Sequence, residues 1–350
     1  MNDGLSYAGC GVNINDADSA KQDIAQILDS NHAKCLNKTG AFAALYDADF
    51  REYKSPVLVL KAEEPGSKQL LSIRYGKTEW ICRDLINHLT NDIAVMGAKP
   101  LAVLDTIICG RLEKDTIVEM VRYMSQACNE LGCVLIGGET SEQPGTLQSG
   151  TYVLSACVVG IAEKEKIVDG SGITPGDCLL ALPSNGPHTN GFSLIRKLID
   201  EKPGLMHTTA GEGNFLDAIL KPHTSYYLPL KNVLESSHAS AVHGMAHITG
   251  GGMRDNLIRI LPEGCRADID LAKVRVPQIF KIIKHAGNVP DADMLRTFNN
   301  GVGMILAVDK DTVGRIKAPL FASGIDTYEI GRISSGERQV GFYNTLDYAL

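Results

Sequence analysis

A chain of 350 residues, 44% of them apolar, can bury a sizeable core, and the usual size of a domain makes two domains the expectation. Lysine plus arginine (34) against aspartate plus glutamate (41) gives a net charge of −7 without long single-sign blocks, which argues against a nucleic-acid or anionic-membrane surface and for a small-molecule ligand. No eighteen apolar residues run together, and MNDGLSYAGCGVNIND has no basic segment leading into an apolar one, so a soluble cytoplasmic protein is expected, with no membrane partner.

In chain order, PVLVLKA (56–62) reads as a strand. It runs into LKAEEPGSKQ, where one glycine, one lysine, two carboxylates and a proline without an N–H make a poor phosphate cradle; by composition this is an acidic turn. Over 77–96, Trp80, Ile81, Leu85, Leu89, Ile93 and Met96 recur at helical spacing and Gly97 ends the pattern. Asp84, His88 and Asp92 share one face of that helix with Asn91 beside them, either as a solvated face or as a magnesium site. A second helix is expected over 115–131, with Thr116 and Glu119 as a capping box and Gly132 closing it. CVLIGG (133–138) and TYVLSACVVGIAE (151–163) read as strands, the first ending at its two glycines.

Glycine, proline and serine concentrate over 168–177, which sets the expected domains at 1–168 and 169–350. Beyond it come a strand, DCLLALP, and an amphipathic helix starting near Asn190. PHTSYYLPLKNVLESS, VHGMAHI and NLIRIL continue the alternation, and GVGMILAVD and YEIGRI close it as strands. Strands and helices alternate without strict βα units, so the fold class is α/β or α+β. Nine cysteines without a CxxC pair are read as small buried thiols rather than zinc ligands or disulfides.

Three stretches join glycine to polar residues where an apolar element stops. GGETSEQPG (137–145) would put Glu139 at a strand's carboxyl end, as a ligand group or in a surface turn. GPHTNGFS (186–193) sets His188, Thr189 and Asn190 before a helix, where His188 could move a proton or bind phosphate, and Thr189 or Asn190 could simply be the N-cap. HITGGGMRDN (247–256) has three glycines between strand and helix, which favours an anion site over a plain loop.

Taken in order, AGCGVNI, NDIAVMGAKPLAVLD, GGETSEQPG, GPHTNGFSLIRK, HITGGGMRDNLIRILPEG and GNVPDADMLRTFNNGVGMILAV resemble the phosphoribosylformylglycinamidine cyclo-ligase (aminoimidazole ribonucleotide synthetase, PurM) family over nearly the whole chain. The resemblance implies a two-domain PurM-like fold and a homodimer whose N-terminal domains pair their sheets into a barrel, with active sites near the domain junction. It implies purine ring closure: ATP with Mg2+ phosphorylates the formyl amide oxygen of formylglycinamidine ribonucleotide, a nearby nitrogen attacks the activated carbon, and phosphate leaves. Carried over residue by residue, Asn91, Asp92 and Glu139 fall to nucleotide and magnesium, and His188, Thr189 and Asn190 to substrate. His247, Thr249 and Gly250, Gly251 and Gly252 fall to a phosphate of either the ribose or the nucleotide. Glu63, Glu64, Pro65, Gly66, Ser67 and Lys68 stand where the family's nucleotide loop reads Asp-Gly-Val-Gly-Thr-Lys, so Glu63, Gly66, Ser67 and Lys68 fall to nucleotide and Glu63 and Asp92 to metal. Lys68, Asp92 and His188 are the catalytic candidates. Glu64 and Pro65 depart from the family pattern, and with only Gly40 left in the stretch LNKTGAFAAL they leave a non-catalytic paralogue as the rival reading and a related ATP-dependent enzyme of the same superfamily as a third.

Overall fold

The computed structural model describes residues 14–28 and 34–350; the AGCGVNI motif, up to its last residue, lies outside them. The chain divides into two compact units, one containing the described residues up to Leu89 with Pro100–Glu163, the other Thr90–Lys99 with Lys164–Leu350.

The first unit carries α1 (Ile14–Leu28), β1 (Pro56–Glu63), α2 (Lys68–Arg74), the first three turns of α3 (Thr78–Ala94), β2 (Lys99–Cys109), α4 (Lys114–Glu130), β3 (Val134–Glu142) and β4 (Tyr152–Glu163). Its sheet runs β1-β4-β2-β3, with β1 antiparallel to β4 and β2 parallel to β3. The core is the apolar stripe read from the sequence: Ile81, Leu85 and Leu89 of α3, with Ile117, Met120 and Met124 of α4, are buried, as are Val103 and Ile107 of β2 and Leu154 and Val158 of β4. Leu58 and Leu60 of β1 and Leu104 of β2 are exposed instead.

Two local expectations change. The capping box does not form, because α4 begins after Glu113 with no side-chain cap and Glu119 accepts the Tyr123 hydroxyl at 2.9 Å, one turn on. The strand 133–138 does not stop at its glycines; β3 pairs with β2 as far as Glu142 opposite Cys109, so Glu139 lies mid-strand, opposite Thr106. Gly138 has a packing reason, since a Cβ there would lie 2.1 Å from the Asp105 carboxylate opposite it.

The second unit carries β5 (Cys178–Pro183), α5 (Phe192–Glu201), the two-residue strands β6 (Thr209–Ala210) and β7 (Gly213–Asn214), α6 (Phe215–Leu220), α7 (Tyr227–Leu234), β8 (Val242–His247), α8 (Gly252–Leu257), β9 (Cys265–Asp270), α9 (Gln278–Gly287), α10 (Asp291–Thr297), β10 (Val302–Val308), α11 (Val313–Ala322), β11 (Tyr328–Ser335) and β12 (Gln339–Tyr343). The large sheet runs β12-β9-β11-β5-β10-β8, antiparallel except for β12 with β9. β10 sits between β5 and β8 with every residue buried, which is why GVGMILAV reads as an unbroken apolar run. α5 starts at Phe192 rather than Asn190, because His188 (φ 58°) and Gly191 (φ 76°) both take left-handed backbone that a helix cannot include. The described cysteines are free thiols, most of them buried, and among the described residues no helix is long and apolar enough to cross a membrane.

Burial pushes the Asp105 carboxyl up to about 7 from its ordinary 3.8. The folded chain therefore holds that proton more tightly than the unfolded one. The stability this group contributes is full below 3.8 and is lost as pH rises through about 7. Thermal unfolding followed from pH 4 to 8 should show a loss of a few kcal/mol in wild type and a flatter profile for Asp105→Asn.

Candidate active site

In the first unit β1 delivers Glu63 to the start of the acidic loop, and α2 follows directly. Glu63 pairs with Lys61 at 2.7 Å and lies 3.9 Å from Nε2 of His88. Glu64 is exposed and turns back on its own loop: its carboxylate accepts the Gly66 N–H at 3.1 Å, with Gly66 at φ 62°. An amide that a phosphate cradle would present to its ligand is thus held by a side chain of the chain itself. Lys68 is wholly buried, its Nζ 2.6 Å from the equally buried Asp84. Burial pushes the Lys68 ammonium below its usual range, against the charge and hydrogen bond of Asp84, which hold it up. Gln69 accepts the Leu154 N–H at 2.9 Å and ties α2 to β4. Asp84, expected on a solvated or metal-binding face, is therefore an interior partner of Lys68.

In the second unit several of the singled-out stretches meet. Asp92 Oδ1 lies 2.7 Å from Nδ1 of His247 at the end of β8. An ionised carboxylate only accepts, so His247 carries its proton on Nδ1 toward Asp92. Asn91 is fully buried; its amide donates to the Thr224 carbonyl at 2.9 Å and its oxygen accepts the Tyr226 N–H at 2.8 Å. Its side chain fixes backbone there. The Tyr226 hydroxyl donates to the Pro183 carbonyl at 2.7 Å, and burial raises the pKa of that phenol well above its usual range.

The segment that Asn91 clamps carries a residue the sequence reading missed, His223. Pro-His-Thr occurs twice, at 187–189 and 222–224, and the two copies hold each other. Thr189 Oγ1 is 3.0 Å from Nε2 of His223, the Thr224 N–H donates to Nε2 of His188 at 3.4 Å, and the two imidazoles stack with centroids 4.2 Å apart. That repeat was the available signal for His223. Gly303 makes room for this layer, since a Cβ there would lie 1.9 Å from the Tyr226 hydroxyl oxygen and 3.1 Å from the His188 ring.

The triple glycine is built differently from a bare anion loop. Asn256, also missed, donates to the carbonyls of Thr249 (3.3 Å), Gly250 (3.1 Å) and Gly252 (2.8 Å) and staples the turn to α8. Gly252 has φ 64° and its backbone lies where a Cβ would be 2.0 Å from the Leu295 carbonyl oxygen, so packing against α10 demands glycine there. Gly250 comes near Asn190: a Cβ there would meet its Oδ1 at an ordinary 3.5 Å. His188, Thr189, Asn190, His247, Thr249 and the glycines are thus parts of one wall with Asn91 and Asp92, whereas Glu139 is an exposed residue of β3 in the first unit.

Residues 54–162 match the family described as AIR synthase related protein, N-terminal domain, and residues 174–344 the family described as AIR synthase related protein, C-terminal domain. Phosphoribosylformylglycinamidine cyclo-ligase of Methylobacillus flagellatus is 38% identical over 96% of this chain and 97% of its own. The enzyme of the same name from Chromobacterium violaceum is 38% identical over 97% and 98%. The chain belongs to the phosphoribosylformylglycinamidine cyclo-ligase family.

Among solved structures, E. coli HypE aligns with a TM-score of 0.68 at 16% identity over 95% of this chain and 97% of that one. Thiamine-monophosphate kinase from Stenotrophomonas maltophilia K279a aligns at 0.66 and 16%, over 94% and 97%. At such identity the likeness is one of fold, the two-domain PurM-like fold that cyclo-ligases share. Magnesium favours oxygen donors and usually takes one or two carboxylates beside phosphate and water. Glu63 in the first unit and Asp92 in the second are carboxylates of that kind, so the donor chemistry of each fits the ion a cyclo-ligase nucleotide would bring.

The buried Lys68–Asp84 pair yields a direct expectation. Lys68→Met leaves Asp84 uncompensated in the interior and should destabilise the protein by about 3–5 kcal/mol in denaturant unfolding, while Lys68→Met with Asp84→Leu should recover most of that loss. A Lys68→Met variant as stable as wild type would remove the ion pair from the account.

Proposed function

We propose that the chain is an ATP-dependent ligase that closes formylglycinamidine ribonucleotide to aminoimidazole ribonucleotide in purine synthesis, working as a cytoplasmic homodimer with ATP and magnesium. The observation that carries the reading is the end-to-end match to enzymes of that name, 38% identical over nearly the whole of both chains. In the reaction the formyl amide oxygen attacks the γ-phosphorus of ATP and ADP departs. The substrate's own nitrogen then attacks the activated carbon, and phosphate leaves as the ring closes. Magnesium, when bound, offsets the triphosphate charge, and the chain has to hold oxygen and phosphorus in line.

On this reading the first unit supplies the nucleotide loop, with Glu63, Gly66 and Ser67 facing the nucleotide. Lys68 acts from inside, anchoring the loop to α3 through Asp84. The second unit supplies the wall that meets substrate, with Thr189 and Asn190 orienting it and Thr249 and Gly250 at its phosphate. His188, buried and stacked on His223, handles the proton shed when the ring nitrogen attacks. Asp92 is a magnesium ligand that also sets the tautomer of His247, and Asn91 positions the wall. For the homodimer, the support is the exposed sheet face of Leu58, Leu60 and Leu104, which a second copy would cover.

Incubation with formylglycinamidine ribonucleotide, ATP and magnesium should give aminoimidazole ribonucleotide and ADP in equal amounts, and substrate binding without ADP would overturn the assignment. Glu64→Gly, which releases the Gly66 amide and removes a carboxylate from the loop, should tighten ATP binding several-fold; unchanged or weaker binding means the carboxylate points away from the nucleotide. Asp92→Asn should lower turnover by about 10- to 100-fold with a far smaller effect on thermal stability. Equal loss of both would return Asp92 to a purely structural part.

A further inference from the structure

The stretch FNNGVG, between α10 and β10, has no part in the roles assigned above, yet both of its asparagines are fully buried. Asn299 reaches the substrate wall. Its oxygen accepts the Ser184 hydroxyl at 2.8 Å and the Gly301 N–H at 2.9 Å, and its amide donates to the Gly186 carbonyl at 3.0 Å. Gly186 opens the turn that carries His188, Thr189 and Asn190. Phe298 lies against both glycine turns of the wall: a Cβ on Gly191 would be 2.1 Å from its ring, and one on Gly252 would be 3.3 Å from its carbonyl oxygen. Residues 298–301 are thus the wedge on which the two turns rest.

Asn300 ties this wedge down. It takes left-handed backbone at φ 50°, which asparagine tolerates better than most residues, and donates its amide to the carbonyls of Met294 at 2.9 Å and Phe298 at 3.0 Å. Its oxygen accepts the Tyr348 hydroxyl at 2.9 Å. Tyr348 is a buried residue of the segment that follows β12, and that segment is itself fastened to α9. Lys281 donates to the Ala349 carbonyl at 2.7 Å, Nε2 of His285 donates to the Tyr348 carbonyl at 2.8 Å, and the Lys284 ammonium stands 5.0 Å from the centre of the Tyr348 ring. Burial raises the pKa of the Tyr348 phenol well above its usual range, so at neutral pH the hydroxyl keeps its proton and donates it.

We propose that Tyr348 is a positioning residue for the substrate wall, acting through Asn300 on residues 298–301 and so on the turns that carry His188, Asn190 and glycines 250–252. The Tyr348 hydroxyl completes the hydrogen bonding of a buried amide whose backbone is already left-handed, and losing it takes that donor from the Asn300 oxygen in the interior. A close-packed segment passes such a loss on to what rests against it, and a small displacement of a substrate-orienting group weakens both binding and turnover. The proposal rests on the ligase reading only for the name of the substrate. The route from Tyr348 to His188 is independent of it.

The test compares the full-length wild type with Tyr348→Phe and with Tyr343→Phe, which removes the hydroxyl of an exposed tyrosine on β12. Tyr348→Phe should raise the KM for formylglycinamidine ribonucleotide about 10-fold and leave the KM for ATP within about twofold of wild type. Tyr343→Phe should match wild type in both. A role confined to stability would lower the unfolding temperature and leave both constants of the folded enzyme unchanged. In protein labelled with 15N-histidine and assigned with His188→Gln and His243→Gln, Tyr348→Phe should move the ring signals of His188. Those of His243, whose imidazole meets Asp177 at 2.7 Å, should stay in place. A wild type that makes no aminoimidazole ribonucleotide while the His188 signals still move overturns the ligase reading and upholds the positioning role. An unchanged KM for the substrate in an active Tyr348→Phe overturns the positioning role, and so does a His188 ring that does not respond.

Discussion

The contact on which most of the second unit's chemistry depends is the one between Asp92 and His247. A carboxylate with a side chain only 16% exposed sits 2.7 Å from an imidazole that is 3% exposed, and both lie at the ends of regular elements, α3 and β8. A hydrogen bond of this charge-assisted kind is worth about 1.5–3 kcal/mol. Its consequence is larger than its energy, because it decides which nitrogen of His247 faces the wall. Asn91, one residue earlier, fixes the backbone of Thr224 and Tyr226 with both ends of its amide. Two adjacent residues at the end of one helix therefore place His247, His223 and Tyr226.

The first unit solves a different problem with buried charge. Lys68 and Asp84 are wholly enclosed and pay for their lost hydration by pairing with each other, an arrangement that gives position more than stability. Among the described residues Asp105 has no cation to match it, and its carboxyl shifts toward the neutral form instead. Gly138 exists to admit it. The loop that leads into Lys68 is acidic by sequence and self-contacting by structure: the Glu64 carboxylate accepts the amide N–H of Gly66.

Much of this was legible in the residues. The apolar periodicity of α3 and α4, the runs of β4 and β10 and the α/β alternation follow from burial, which sequence reports directly. The motifs singled out His188, Asn190, Asp92 and His247, which the fold brings into one wall of the second unit. What escaped has a common cause, namely long-range partnership. Glu139 looked like the end of a strand because nothing in GGETSE announces that β2 will pair with it. Thr116 and Glu119 fit a capping pattern, but Tyr123 competed for the same carboxylate. The glycines of HITGGG suggest an anion loop from sequence, and nothing in them announces the second demand on Gly252, its close approach to the Leu295 carbonyl forty-odd positions away. His223 lay in an ordinary polar loop, and only its repeated Pro-His-Thr setting distinguished it.

The most direct measurement is the tautomer of His247, read from two-bond 1H–15N correlations of the chelator-treated protein labelled with 15N-histidine and assigned with His247→Gln. The account predicts a neutral ring protonated on Nδ1, held toward Asp92, with Nε2 unprotonated and facing the wall; in Asp92→Ala that preference should disappear. A neutral ring protonated on Nε2 alone in the wild type would contradict it, because His247 would then have no proton to give Asp92.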